Sequence, residues 1–307
     1  MEPRDRVPDL AVATGPPPRA PVRPPRSIAP YLLAGPAVLV LVAVFLVAMA
    51  TLGEFSLHRF VDGVTSPGRT LAQWREFLGD SYQWSIVLAT VRLGLVTTAG
   101  CAVVGYATAL ALHRLRSPAL RTLCGFVLFA PLLTSVVARS YGWALLLDDT
   151  GLVNTVLAEA GLTGSPVRLL YHERGVVIAM VHILLPFMVF PLLASLRQVG
   201  DDMLEAAADL GSPWWHRFRR VSLPLSVPGL VAGCQLCFAL AISAFATPSL
   251  LGGGRVQVLA TNVYADVGTL NWPRAAIGCY VLLALALLAF AGFGLWQRRA
   301  YALRGAR

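Results

Sequence analysis

The sequence predicts an all-α polytopic membrane protein with six transmembrane helices. Composition and patterning carry that expectation. Of 307 residues, 56% are hydrophobic and 13% are charged; a soluble domain carries about 25% charged residues, so lipid is the solvent for most of this chain. The net charge is +9, and every Lys/Arg position is Arg, placed between long apolar runs rather than along one folded face. That distribution reports membrane topology and argues against a nucleic-acid partner. Six apolar runs each provide the roughly 20 helical residues that a hydrocarbon core requires.

Taken in order, residues 1–29 are rich in Pro and Arg and poor in large apolar side chains. Such a segment cannot bury enough surface to fold and reads as a disordered cytoplasmic tail. A transmembrane domain over 30–300 comes next, with spans expected at 31–52, 84–112, 122–147, 175–196, 225–251 and 275–297, and a cytoplasmic tail at 301–307. The second and third spans are longer than a bilayer needs, which predicts tilt or ends outside the membrane. Ala48-Met49-Ala50 has the form of a signal-cleavage site, but the apolar run before it exceeds the 7–15 residues of a signal core, so its retention is the expectation. Pro131, Pro186, Pro191, Pro228 and Pro248 punctuate the spans, and Gly229-x-x-x-Gly233 allows one helix to approach another closely. These features read as a packed bundle.

Orientation rests on the Arg residues. With the N-terminus inside, segments 1–29, 113–121, 197–224 and 298–307 hold 16 Arg, against 7 in segments 53–83, 148–174 and 252–274 of similar total length. The excess places both termini in the cytoplasm.

Several chemistries are excluded. A P-loop needs a Lys on the nucleotide phosphates, and the sequence has none, so this chain is not itself a P-loop ATPase. Five scattered His residues and the lack of HExxH, HxE and G-x-S-x-G patterns argue against an intramembrane enzyme. Cys234-x-x-Cys237 has half the spacing of a metal or redox site, but no second pair completes it. The five Cys residues are therefore expected as small buried apolar groups, with no metal and no cofactor.

The informative loop is the cytoplasmic one at 197–224. Asp202 can cap a short helix, with Glu205 three residues on completing a capping box. Ala206 to Ala208 favour helix with almost no side-chain bulk, and Gly211 suits a left-handed C-terminal cap. Ser212 and Pro213 then open a second helix. Such a segment either inserts into a groove on another protein or lies on the membrane, aided by Trp214, Trp215 and Arg217, Arg219 and Arg220.

The pattern Glu205-Ala206-Ala207, Gly211, Phe218, Val221, Leu223-Pro224 and Pro228-Gly229 resembles the "EAA" loop of permeases in binding-protein-dependent ABC importers. The resemblance covers roughly 30–300 and implies a type I importer bundle in a bacterial inner membrane. It implies that residues 205–211 form a coupling helix docked in a separate ATP-binding subunit, and that Phe218, Leu223 and Pro224 hold the second half against the bundle. It also implies a second related permease and an external substrate-binding protein as partners. Pro131-Leu132-Leu133-Thr134-Ser135, Arg139-Ser140-Tyr141-Gly142-Trp143 and Thr247-Pro248 through Gly254 are similar to the spermidine/putrescine-type group. Permeases for ferric iron, phosphonates or other small solutes look alike in these stretches. An ion-driven secondary transporter is the rival class, expected to show inverted halves and midplane ion ligands, neither of which is clear here.

Two intramembrane Arg residues are functional candidates because each is costly in a helix centre. Arg92 lies early in its span, where snorkelling outward explains it as well. Arg139 lies deeper, beside Tyr141 and Trp143 and after Thr134 and Ser135. It either lines the pathway with them or anchors one helix to another.

Overall fold

The computed structural model describes residues 29–61, 63–115, 117–198 and 213–305. The chain divides into two compact units, Met1–Thr51 and Leu52–Arg307. Helix α1 (Ala29–Ser56) supplies the described part of the first unit, residues 29–51, and its last five residues belong to the second; it runs unbroken through Ala48-Met49-Ala50.

In the second unit a short antiparallel hairpin comes first, β1 (His58–Val61) and β2 (Val64–Arg69), paired His58 with Arg69 and Val61 with Val64. The chain enters β2 through Gly63 at φ +81°, where only glycine is unstrained, as a tight hairpin turn requires. Arg69 donates to both oxygens of Glu54 at 2.8–3.0 Å and ties the hairpin to the end of α1. Next come α2 (Ala72–Gly79), α3 (Ser81–Arg114), α4 (Pro118–Phe129), α5 (Val136–Leu147), α6 (Leu152–Glu159) and α7 (Glu173–Arg197). Beyond the undescribed segment lie α8 (Trp214–Arg217), a π-helical turn Phe218–Ser222, α9 (Leu223–Leu225), α10 (Val227–Ser243), α11 (Ala246–Gly252), α12 (Leu259–Gly268) and α13 (Trp272–Gly305).

The core is a three-helix unit of α3, α7 and α10. Fully buried side chains include Leu93 and Cys101 on α3, Met180, Met188 and Leu192 on α7, and Cys237 and Ile242 on α10. Glycines set the spacing. A Cβ on Gly94 would stand 2.7 Å from Ile242, and one on Gly100 2.7 Å from Val181. On α10, a Cβ at Gly229 would collide with the backbone carbonyl of Pro191, so the Gly229-x-x-x-Gly233 pair brings α10 directly onto the α7 backbone. These contacts also fix direction: α3 and α7 run parallel, and α10 runs against both. One end of the bundle therefore gathers Arg114, Arg197, Arg219 and Arg220, and is its arginine-rich end. The opposite end carries α2, α12 and the starts of α3 and α7.

All five Cys residues are free. The Cys101 and Cys237 thiols donate to the carbonyls of Val181 and Leu184 at 3.7 and 3.6 Å, so within the core they serve as small packing groups on the α7 backbone.

Among the described residues, four helical stretches are long and apolar enough to cross a bilayer alone: Gly35–Ser56, Ser81–Arg114, Glu173–Arg197 and Trp272–Arg299. The other two expected spans are corrected by the structure. The third, expected as one helix over 122–147, is broken: Pro118–Leu133 and Val136–Glu159 meet at 104°. Pro131 has no N–H to continue the α-helical ladder, so the chain tightens into a 3₁₀ turn, Ala130–Leu133, and leaves it at Thr134 with ψ 153°. The Thr134 hydroxyl and N–H both donate to the Pro131 carbonyl, at 2.8 and 3.2 Å. The fifth, expected over 225–251, bends by 55° at Ser226 and breaks again at Ala244–Phe245 before α11. A helix of 12 residues is about 18 Å long, too short to cross alone. Six crossings result when each bent pair counts as one.

Candidate functional site

Both broken spans converge on one junction. The buried hydroxyls of Ser140 on α5 and Thr247 on α11 share a hydrogen bond at 3.0 Å. Ser140 also donates to Val136 at 2.9 Å within its own helix. One turn along α5, the Trp143 indole N–H donates to Nδ1 of His182 on α7 at 3.2 Å, with the rings edge to face at 5.3 Å. That bond requires the proton of a neutral His182 to sit on Nε2. The junction is thus hydrogen-bonded on two sides by short polar groups, in a region otherwise built of apolar side chains.

The sequence candidates divide around it. Thr134 and Ser135 sit at the break and are exposed, as is Tyr141. Arg139 is half-buried, and its Nε and Nη1 are shielded with no hydrogen-bond partner among the described residues. Arg139 has two readings, pathway lining or helix anchor; the described inter-helix hydrogen bonds here are made by its neighbours Ser140 and Trp143. Two side chains missing from the sequence candidates, His182 and Thr247, complete the junction. His182 carried a signal, being one imidazole within the apolar run of α7; Thr247 stood in the Thr247–Gly254 stretch read for its resemblance, but only the fold brings it to Ser140.

Arg92 pairs with Glu173, the first residue of α7, at 3.3 Å. The excess charge in α3 is therefore met by a carboxylate at the end of the bundle opposite the arginine-rich one. At that end the Thr90 hydroxyl accepts the N–H of Leu259 at 2.8 Å and fastens α12 to α3. Gln83, oriented with its amide oxygen toward the guanidinium, accepts from Arg274. Arg274 also stands 3.8 Å from Asp266. Burial pushes the Asp266 carboxyl above its ordinary range, and the Arg274 charge partly opposes that rise.

Glu205, Ala206, Ala207 and Gly211 lie outside the described residues. Downstream of them, Phe218 packs edge-on against Tyr106 of α3, with centroids 5.6 Å apart at 89°, and stacks with Trp215. The Tyr106 hydroxyl bonds Ser226 at 2.9 Å, and Ser226 donates to the Leu223 carbonyl at 3.0 Å. Leu223 packs against the core, and Pro224 is half-buried. The segment after the loop is therefore seated on α3 at the arginine-rich end, immediately before α10.

A bundle of long helices with two discontinuous ones, polar at their breaks, is the architecture of a membrane permease. The chain matches, over residues 102–300, the family described as "Binding-protein-dependent transport system inner membrane component", and it belongs to that family. Among its relatives, the spermidine/putrescine transport system permease protein PotB of Haemophilus influenzae is 34% identical, over 67% of this chain and 73% of that protein. PotB of Escherichia coli is 31% identical, over 80% of this chain and 90% of that protein. A putative 2-aminoethylphosphonate transport system permease protein, PhnU of Salmonella choleraesuis, is 27% identical over 80% of each. A chain in the crystal structure of a bacterial ABC transporter involved in alginate import aligns with a TM-score of 0.71 at 17% identity, covering 89% of this chain and 97% of that one. At that identity the likeness is one of fold. The protein is a multi-pass membrane permease subunit of type I importer fold.

Proposed function

We propose that this chain is one of two permease subunits of an ATP-driven bacterial importer, and that its cargo is a polyamine such as spermidine or putrescine delivered by an external binding protein. The supporting observation is the similarity to spermidine/putrescine permeases across most of the chain. The ATPase resides in a separate subunit, whose groove takes the helix at Glu205–Gly211 of the cytosolic loop. Both termini lie in the cytosol, and the protein spans the inner membrane.

Contacts in the fold suit the transmission of a push from that loop. Phe218 on Tyr106, and Ser226 between Tyr106 and Leu223, join the loop to α3 and to the start of α10. The far end of α10 breaks at Ala244–Phe245 into α11, whose Thr247 holds Ser140 beside Arg139. ATP-driven movement of the loop thereby reaches the break in the third span. Thr134 and Ser135 at that break, and Arg139, Tyr141 and Trp143 on the helix that follows it, line this chain's half of the pathway in this reading, Tyr141 exposed and Arg139 and Trp143 half-buried beside the junction.

Reconstitution tests the reading. Proteoliposomes holding the four-part complex take up labelled spermidine or putrescine only with ATP and binding protein, and a panel of ferric and phosphonate solutes competes poorly. Uptake by this chain alone under an ion gradient would sink the proposal. Glu205→Lys and Gly211→Trp abolish co-purification of the ATP-binding subunit without impairing insertion; retention of that subunit by both variants would remove the docking role.

A further inference from the structure

Arg139 carries an unanswered charge beside the broken third span. It lies on α5, four residues past Ser135, whose carbonyl accepts its backbone N–H at 3.0 Å. Its Nε and Nη1 are shielded from solvent and have no hydrogen-bond partner among the described residues. A guanidinium does not give up its proton in a protein, so the charge is permanent.

No carboxylate of the surrounding helices is placed to neutralise it. The sequence holds no Asp or Glu within residues 115–147, 174–200 or 210–265. Those gaps take in α4, α5, α10, α11 and all of α7 after Glu173. Asp148, at the end of α5, is nine residues on, about 13.5 Å along the helix axis, and it accepts from the Thr150 hydroxyl. Glu173 is engaged by Arg92. Trp143 stands one turn from Arg139, at the spacing where side chains of a helix are neighbours, and it donates to His182. That bond uses Nδ1, so a neutral His182 keeps a donor at Nε2 and offers the guanidinium no ring acceptor. A fixed cation among apolar groups and donors repels other cations and gives them nothing to bind.

On the importer reading, with the broken span lining the pathway, we propose that Arg139 is an electrostatic barrier that stops potassium, sodium and protons leaking through the permease. A path wide enough for a cationic cargo cannot reject smaller cations by size, whereas a fixed positive charge beside it can. At an effective dielectric near 20, a monovalent cation about 8 Å from the guanidinium is held back roughly 30-fold. A polyamine is repelled more strongly still, so its passage requires Arg139 to swing aside, and the bend at Thr134–Ser135 supplies the joint.

The four-part complex in proteoliposomes without ATP tests the barrier through potassium and chloride efflux, with co-purification of all four parts as the check on assembly. Arg139→Gln and Arg139→Met raise potassium efflux about 10-fold or more and leave chloride efflux unchanged or lower, whereas Arg139→Lys stays near wild type. Wild-type potassium efflux in an assembled neutral variant overturns the barrier. An equal rise for both ions also overturns it, because loosened packing admits either sign. Failure of both neutral variants to assemble does the same, by making Arg139 a helix anchor. Uptake of an anionic phosphonate that Arg139→Gln abolishes would assign the residue to the cargo and overturn the barrier together with the polyamine reading. A wild-type complex that takes up no labelled polyamine with ATP and binding protein overturns the importer reading, whatever its potassium efflux.

Discussion

The α3–α7–α10 core and the α4–α5–α11 region are made from similar apolar residues, yet one is closed and the other is interrupted. In the core, Gly94, Gly100, Gly229 and Gly233 let helices meet at backbone distance, and Pro186 and Pro191 are absorbed within a continuous α7. In the other region Pro131 precedes two hydroxyl residues, Thr134 and Ser135, and the helix turns by 104°. Proline alone does not set the outcome. What differs is the local chemistry after the proline: Thr134 turns its hydroxyl and N–H back onto the Pro131 carbonyl and ends the helix, whereas apolar residues follow Pro186 and the helix continues. The enclosed region is packed at backbone distance, and the interrupted one keeps Thr134, Ser135 and Tyr141 exposed.

Substitutions that close or open these two regions test that contrast. The largest effect is expected at Gly229. Leucine there drives side-chain atoms into the Pro191 backbone, an overpacking that costs about 1–3 kcal/mol or more. The variant should lose most of its monodisperse peak after mild heating in detergent, and an unchanged melting profile would contradict the backbone contact. Next comes Phe218→Ala, which strips the ring from Tyr106. The loss of a half-buried aromatic is expected at about 1.5–3 kcal/mol, with reduced retention of the ATP-binding subunit; Phe218→Tyr should keep it.

Smaller changes are expected at the junction. Trp143→Phe removes the indole N–H donor to His182 and, at about 0.5–1.5 kcal/mol for one hydrogen bond, should lower transport while barely moving the melting temperature. A melting shift without a transport defect would make that bond merely structural. Ser140→Ala should cost less still, because Thr247 can turn its hydroxyl to a nearby carbonyl.

The smallest expected effect is at Asp266, outside the spans. Its carboxyl is raised by burial, so the folded state holds the proton more firmly than the unfolded chain does. The native fold is then favoured below the ordinary carboxylate range and loses that increment as pH rises through the raised value. Thermal stability measured between about pH 4 and 7 should show a shallow decline that Asp266→Asn removes. An identical profile for the variant would assign the decline to other groups.

Much of this architecture is legible in the sequence, for reasons that differ by residue. Gly229-x-x-x-Gly233 reads as a close-approach motif because glycine has one physical use at such spacing. The hairpin has a local signal in Asp62-Gly63 between Val61 and Val64, but its strands are short and the surrounding composition is that of a membrane helix. The break at Thr134 has a weak one, the hydroxyls of Thr134 and Ser135 after Pro131, where Pro186 is followed by Phe187, Met188 and Val189 and bends nothing open. His182 and Thr247 enter the junction only through helices distant in sequence, so no local spacing announces them.

By itself, the sequence determined the solvent, the number of apolar segments, the bias of Arg to one end and the family-bearing pattern from Glu205 to Gly229. Those are products of local chemistry: hydrophobic length, charge placement and backbone permissiveness act wherever the residues stand. Only the tertiary structure decided which spans are broken, that Arg92 meets Glu173, and that Ser140 and Trp143, rather than Arg139, bond across to neighbouring helices. Those depend on which helix packs beside which, because a hydrogen bond or a clash exists only once two distant segments share a few ångströms of space.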